Sequence, residues 1–135
     1  MYLIDSNILI YAREAGNSFL DTFVLAESAA VSEISLAEVF SYPGLTETQE
    51  RDYEQVFSKI RMLAVSHLVW RRAAQIRKRH RCKLADAVVA ATAIQENLVL
   101  VTRNTKDFKG IEGLHVLDPF EGNPSSSSWL SSSSS

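Results

Sequence analysis

The sequence predicts an α/β protein: three layers, with a central, mainly parallel sheet flanked by helices on both faces. Three observations carry this. Short apolar segments recur at intervals along the chain, and segments with helical patterning separate them. Alternation of that kind argues for parallel strands joined by helical crossovers and covered on both sides. With 135 residues the chain makes about one domain, and 46% hydrophobic residues suffice for a core without disulfides or structural metals.

Tyr2-Leu3-Ile4 reads as a short buried strand, with Asp5 at its junction to a helix over Asn7 to Ala12. Ser18 to Ser28 carries Phe19, Phe23, Val24 and Ala26 on one face and is expected as an amphipathic helix. Ala29-Ala30-Val31 is a second strand. The next helix runs from about Ser35 to Phe40 and stops before Pro43-Gly44. Thr46 to Ile60 is a helix because Thr46 and Gln49 form a capping-box pair and Tyr53, Val56, Phe57 and Ile60 recur at helical spacing. Met62 to Val65 reads as a strand, and Ser66 caps a helix reaching about His80. An alanine-rich helix follows over Leu84 to Asn97. Leu98 to Thr102 is the clearest strand, Thr105 to Phe108 a helical turn, and Leu114 to Leu117 a last strand.

One cysteine, Cys82, excludes an intrachain disulfide and argues against a cysteine-based zinc site. No signal-peptide pattern opens the chain, since an acid follows three apolar residues, and no apolar run approaches the roughly 20 residues of a membrane helix. A cytoplasmic protein with no membrane association is expected. The globular domain is placed at residues 1–121. Residues 122–135 form a Ser-rich low-complexity tail, either flexible or a product of cloning, in which Trp129 and Leu130 are the only apolar residues.

The net charge of −2 gives no hint of a nucleic-acid partner, but the positions of the charges do. Sites in parallel sheets form at the carboxyl ends of strands, where Asp5 lies. A helix cap is its plainer reading. Glu38 stands three residues after Ser35, a capping-box spacing that gives it a structural reading too, and Glu33 competes with it for any chemical role. Asp86 sits in the first turn of a helix that is apolar nearly all round. Its charge gains from the helix dipole there and still calls for a partner such as a metal ion. Asn104 and Asp107 follow the clearest strand and are candidates for a fourth oxygen ligand. Ser6 and Thr102, whose hydroxyls can orient neighbouring carboxylates, and Asn7 are supporting candidates.

Such a collection suits hard divalent cations, Mg²⁺ or Mn²⁺, which prefer oxygen ligands and relieve the repulsion among gathered carboxylates. The run from Trp70 to Lys83 holds seven of the chain's fourteen Lys and Arg and leads into the Asp86 helix. Arg77, Arg79, Arg81 and Lys83 are therefore candidates for contact with a nucleic-acid phosphate backbone, although a solvated helix face explains such a run equally well. Trp70 is expected in the core rather than against a base.

Four stretches together carry a family resemblance: Leu3-Ile4-Asp5-Ser6-Asn7-Ile8-Leu9-Ile10, Ser32-Glu33-Ile34-Ser35-Leu36-Ala37-Glu38-Val39, Leu84 to Ala93 around Asp86, and Leu100-Val101-Thr102-Arg103-Asn104-Thr105-Lys106-Asp107-Phe108. In this order and at these intervals the sequence resembles the PIN-domain family, and more closely its VapC-type toxins of toxin–antitoxin pairs. The resemblance spans Met1 to about Phe120. It implies a PIN-like α/β/α fold and a Mg²⁺- or Mn²⁺-dependent endoribonuclease with Asp5, Glu38 and Asp86 as its acids. It further implies a homodimer and a small antitoxin that blocks the acidic groove. The fourth family position, often acidic, falls on Asn104, which leaves two alternatives, Asp107 as a substitute or a dispensable fourth ligand, and leaves the number of metal ions, one or two, open.

Two other readings compete. A catalytically weak RNA-binding module on the same fold is suggested by Asn104. A phosphatase that uses Asp5 as nucleophile is disfavoured, because haloacid-dehalogenase-like enzymes carry a second Asp where this chain has Asn7.

Overall fold

A computed structural model of the chain describes residues 1–121. The expected Ser-rich tail, with Trp129 and Leu130, lies outside the described residues.

Five parallel strands form one sheet: β1 (Tyr2–Ile4), β2 (Ala29–Ser32), β3 (Arg61–Leu63), β4 (Val99–Val101) and β5 (Val116–Leu117), in the order β3-β2-β1-β4-β5. The helices are α1 (Ser6–Tyr11), α2 (Asp21–Val24), α3 (Glu33–Phe40), α4 (Glu47–Lys59), α5 (His67–Arg79) and α6 (Leu84–Gln95), with 3₁₀ turns at Ser18–Leu20 and Thr105–Phe108.

Successive strand residues point to opposite faces, so each strand feeds two cores. Leu3, Ala30 and Leu100 pack with Val69, Ala73 and Ile76 of α5 and with the buried face of α6. Ile4, Val31 and Val101 pack with Ile8 and Leu9 of α1, Val39 of α3, and Tyr53 and Phe57 of α4. This is the expected three-layer α/β/α architecture. Helix α6 is buried from Ala87 through Ala93, and its alanines let the backbone lie close against α5 and the sheet.

Local signals explain most boundaries. Thr46 and Gln49 complete a reciprocal capping box at the start of α4, and the Ser66 hydroxyl accepts from the Val69 amide at the start of α5. Arg77, Lys78 and Arg79 fill the last turn of α5, where cations suit the dipole.

Three expectations are corrected. The helix expected over Ser18 to Ser28 is a 3₁₀ turn followed by the four-residue α2, which ends at Val24. The chain must turn there to enter β2, and the Ala26 and Ala29 amides donate to the Phe23 and Ala26 carbonyls in successive turns. Helix α3 begins at Glu33, not Ser35, because Ser32 is its cap and accepts from the Ile34 amide. Ser35 therefore lies inside the helix, fully buried, so no Ser35–Glu38 box exists. Trp70 is not a core residue: it is 44% exposed, because Val69, Ala73 and Ile76 define the inward stripe of α5.

Candidate active site

The chain runs from β1 outward to β2 and β3, then returns to place β4 on the other side of β1. The two halves of the sheet diverge between β1 and β4, and a crevice opens at the carboxyl ends of those strands. Asp5 and Thr102 occupy those two ends. The Asp5 amide donates to the Val101 carbonyl at 3.0 Å, which locks the two strand exits together.

Asp5 is 4% exposed. Its Oδ1 accepts from the Ser6 amide at 2.9 Å, capping α1, and its Oδ2 accepts from the Thr102 hydroxyl at 2.8 Å. The capping role and a place among the acids thus coexist, one on each carboxylate oxygen. The Thr102 oxygen itself accepts from Asn7 Nδ2 at 3.2 Å and from the Asn104 amide at 3.1 Å. With both lone pairs used, Thr102 has only its proton to give to Asp5. The network accordingly requires an acceptor at Asp5 Oδ2, which a carboxylate supplies and the amino group of an asparagine does not.

Helix α3 crosses beside α1 and brings Glu38 to the same end of the sheet. Ser6 Oγ donates to Glu38 Oε1 at 3.1 Å. Glu33, the rival acid, faces away: its Oε1 accepts from the Val65 amide at 2.8 Å and ties α3 to the segment after β3. Asp86 enters from the first turn of α6, half-buried.

These acids repel one another. Burial, together with the charges of Asp86 and Glu38, pushes Asp5 up to about 6, against the pull of the Thr102 hydrogen bond. Burial and then the charges of Asp107 and Glu38 raise Asp86, while Lys83 opposes the rise. Four carboxylates, Asp5, Glu38, Asp86 and Asp107, therefore share one electrostatic field. Among the described residues no three His, Cys, Asp or Glu side chains stand close enough to hold one ion as they are placed. A cation would be gripped by side-chain closure or through bridging water, a mode that suits Mg²⁺.

Asp86 and Asp107 line one cleft with Arg77, Arg81, Cys82 and Lys83. Three of the four proposed backbone-binding cations thus border the acids. Arg79 does not, and instead lines two basic hollows around the end of α5. Asn104 is exposed at the start of the 3₁₀ turn with no side-chain cap bond, and the Asp107 carboxylate caps nothing among the described residues. Sequence reasoning assigned no role to Arg103. Its guanidinium lies 4.9 Å from the Tyr11 ring centre and 4.1 Å from that of Phe120. The available signal was its place directly after Thr102 at a strand exit.

A parallel sheet in this order, with an acid at its switch point and two more from flanking helices, defines a class of acidic-site α/β proteins. The family model for the PIN domain matches residues 2–114, and the chain belongs to that family. Within it the resemblance is to VapC-type proteins. Ribonuclease VapC10 of Mycobacterium tuberculosis is 29% identical over 122 residues, covering 84% of this chain and 90% of the relative. A toxin–antitoxin complex from Klebsiella pneumoniae contains a chain 32% identical, with TM-score 0.74, covering 90% of this chain and 99% of that one. In the structure of VapBC2 from Rickettsia felis bound to a promoter DNA fragment, the matching chain is 26% identical with TM-score 0.68, covering 86% and 96%.

Proposed function

We propose that this protein is the toxin of a toxin–antitoxin pair, an endoribonuclease that hydrolyses RNA phosphodiester bonds with Mg²⁺ or Mn²⁺. The observation that carries the reading is the Asp5 carboxylate, fixed as an acceptor by Thr102 and pushed up first by its burial and then by the charges of Asp86 and Glu38. A fold gains nothing in stability from gathering like charges around a buried acid, and a divalent cation relieves that cost. The donor set is all oxygen, as these ions prefer. Asp5, Asp86 and Glu38 would hold the ion, with Asp107 or Asn104 as a further ligand. When bound, the ion supplies Lewis acidity toward a phosphoryl oxygen and makes water a competent nucleophile near neutral pH.

The chain's own residues do the positioning. Thr102 and the Ser6 amide orient both oxygens of Asp5, and the Ser6 hydroxyl orients Glu38. Arg77, Arg81 and Lys83 line the cleft beside Asp86 and offer donors to the RNA backbone. The expected partners are an RNA substrate, a small antitoxin protein and a second copy of the chain. Among the described residues no helix is long and apolar enough to cross a membrane.

The test is cleavage of single-stranded RNA by the purified, inhibitor-free protein. Activity should require Mg²⁺ or Mn²⁺, disappear in chelator, and be lost in Asp5→Asn and Asp86→Asn. Absence of cleavage with either ion, with RNA affinity surviving Asp5→Ala, would replace the nuclease by an RNA-binding module.

A further inference from the structure

Arg103 stands at the exit of β4, next to Thr102, and its backbone amide reaches Asn7 Oδ1 at 3.5 Å. Its side chain runs along α1 to the ring of Tyr11 and covers the ring of Phe120. Phe120 is buried and held edge-on by Tyr11 at 5.4 Å and by Phe19 at 5.2 Å. The guanidinium thus sits over an aromatic cluster of Tyr11, Phe19 and Phe120. Yet the residue is exposed, and among the described residues its guanidinium makes no side-chain hydrogen bond and no ion pair within 4 Å; its nearest carboxylate influence is on Asp118, which its charge pulls down against the effect of burial. Arg13 is the useful contrast: it also lies over an aromatic ring, Tyr53, but its charge is spent on Asp52 at 3.2 Å.

A guanidinium presents five in-plane N–H donors in a fixed fork, the geometry that suits a phosphate, and contact with the aromatic faces limits where that fork can go. Its location matters as much. Arg77, Arg81 and Lys83 border the acids from the α5–α6 side, whereas Arg103 lies toward α1, beyond Thr102. The carboxylates therefore have cations on two sides.

We propose that Arg103 is a phosphate-binding residue for RNA, taking a backbone phosphate away from the one being cleaved. A single strand would then cross the carboxyl edge of the sheet, from the α5–α6 corner over the acids to α1. This rests on the ribonuclease reading above and adds the strand path to it. Arg103 acts on binding, not on the reacting atoms.

The experiment measures binding of a fluorescent single-stranded RNA to the full chain in chelator, across a salt series, for wild type, Arg103→Met, Arg103→Lys and Arg13→Met. Methionine keeps apolar contact with the rings while removing the charge. One phosphate contact on a single strand contributes about 0.7 to the logarithmic salt slope, which is about fivefold in affinity at 0.1 M salt. Arg103→Met should lose about that slope and affinity, Arg103→Lys should recover the slope, and Arg13→Met should match wild type. In metal-supported cleavage, Arg103→Met should raise KM and leave kcat near its wild-type value. Wild-type affinity and slope in Arg103→Met would overturn the inference and reduce the arginine to a clamp on Phe120. Wild-type protein with no RNA affinity would overturn the ribonuclease reading, and this inference with it.

Discussion

Thr102→Val is the sharpest probe of the site, because valine copies the shape of threonine and removes only the hydroxyl. That hydroxyl is fully buried and makes three hydrogen bonds, donating to Asp5 and accepting from Asn7 and the Asn104 amide. Asn7 is half-buried and Asn104 exposed, so water can replace those two partners at little cost. The Asp5 oxygen has no such access. Losing a hydrogen bond to a buried charged group costs about 1.5–3 kcal/mol, so the variant should be less stable by roughly 2 kcal/mol at pH 7.5. The pH dependence gives the sign. The Thr102 bond favours ionised Asp5, so its removal pushes the carboxyl further above the value of about 6 it has in the native protein. Below that pH Asp5 is protonated and the charge-assisted part of the bond is absent from both proteins. The difference between them should therefore shrink to about 1 kcal/mol or less at pH 5. Urea denaturation in chelator at the two pH values reads this directly, with an unchanged m-value certifying that the same surface unfolds. Equal losses at pH 5 and 7.5, or no loss at either, would show that the bond does not hold an ionised Asp5 in place.

Asp5 titrates above its unfolded value, so protonation favours the folded state, and its contribution to stability is present below pH 3.8 and lost as pH rises through about 6. Millimolar Mn²⁺ should accordingly raise Tm at pH 7.5 and have little effect at pH 5, and an equal rise at both pH values would count against binding through Asp5. Glu33→Ala, which frees the Val65 amide, should cost about 1 kcal/mol or less while cleavage persists, whereas Glu38→Ala should abolish cleavage with little loss of stability; denaturation and cleavage measured on both variants check the contrast, and the reverse pattern would exchange the roles of the two acids. Replacing Arg77, Arg81 and Lys83 together by glutamine should lower the RNA salt slope by about 2, at roughly 0.7 per contact, and the same salt titration reports it.

The layers and the sheet direction were readable from local pattern because each strand is short, apolar and followed by a helix with its own cap. Thr46, Gln49 and Ser66 start α4 and α5 by chemistry confined to a single turn. The misread elements depend on the rest of the fold. The stretch after Ser18 has a helical face, but its length is set by the need to deliver Ala29 into β2, whose register is fixed by pairing with β1. Ser35 looked like a cap because the end of β2 is invisible to pattern reading. The strand runs one residue further than its apolar stretch, and Ser32, fully buried, takes the cap instead.

Two acids one turn and a half apart on α3 show why sequence could propose the site but not choose its members. Glu33 and Glu38 have similar local surroundings, and only tertiary placement separates them. Glu33 meets a backbone amide left unpaired where β3 ends, a demand any acceptor satisfies. Glu38 meets Ser6, whose hydroxyl is present because the chain leaves β1 through Asp5 into α1. The acids assemble because β1 is central and β4 returns beside it, so the crevice, the cap on α1 and the Thr102 contact all arise at one strand exit. Topology brings the charges together at that point, and the Thr102 network then holds Asp5 as an acceptor facing the other acids.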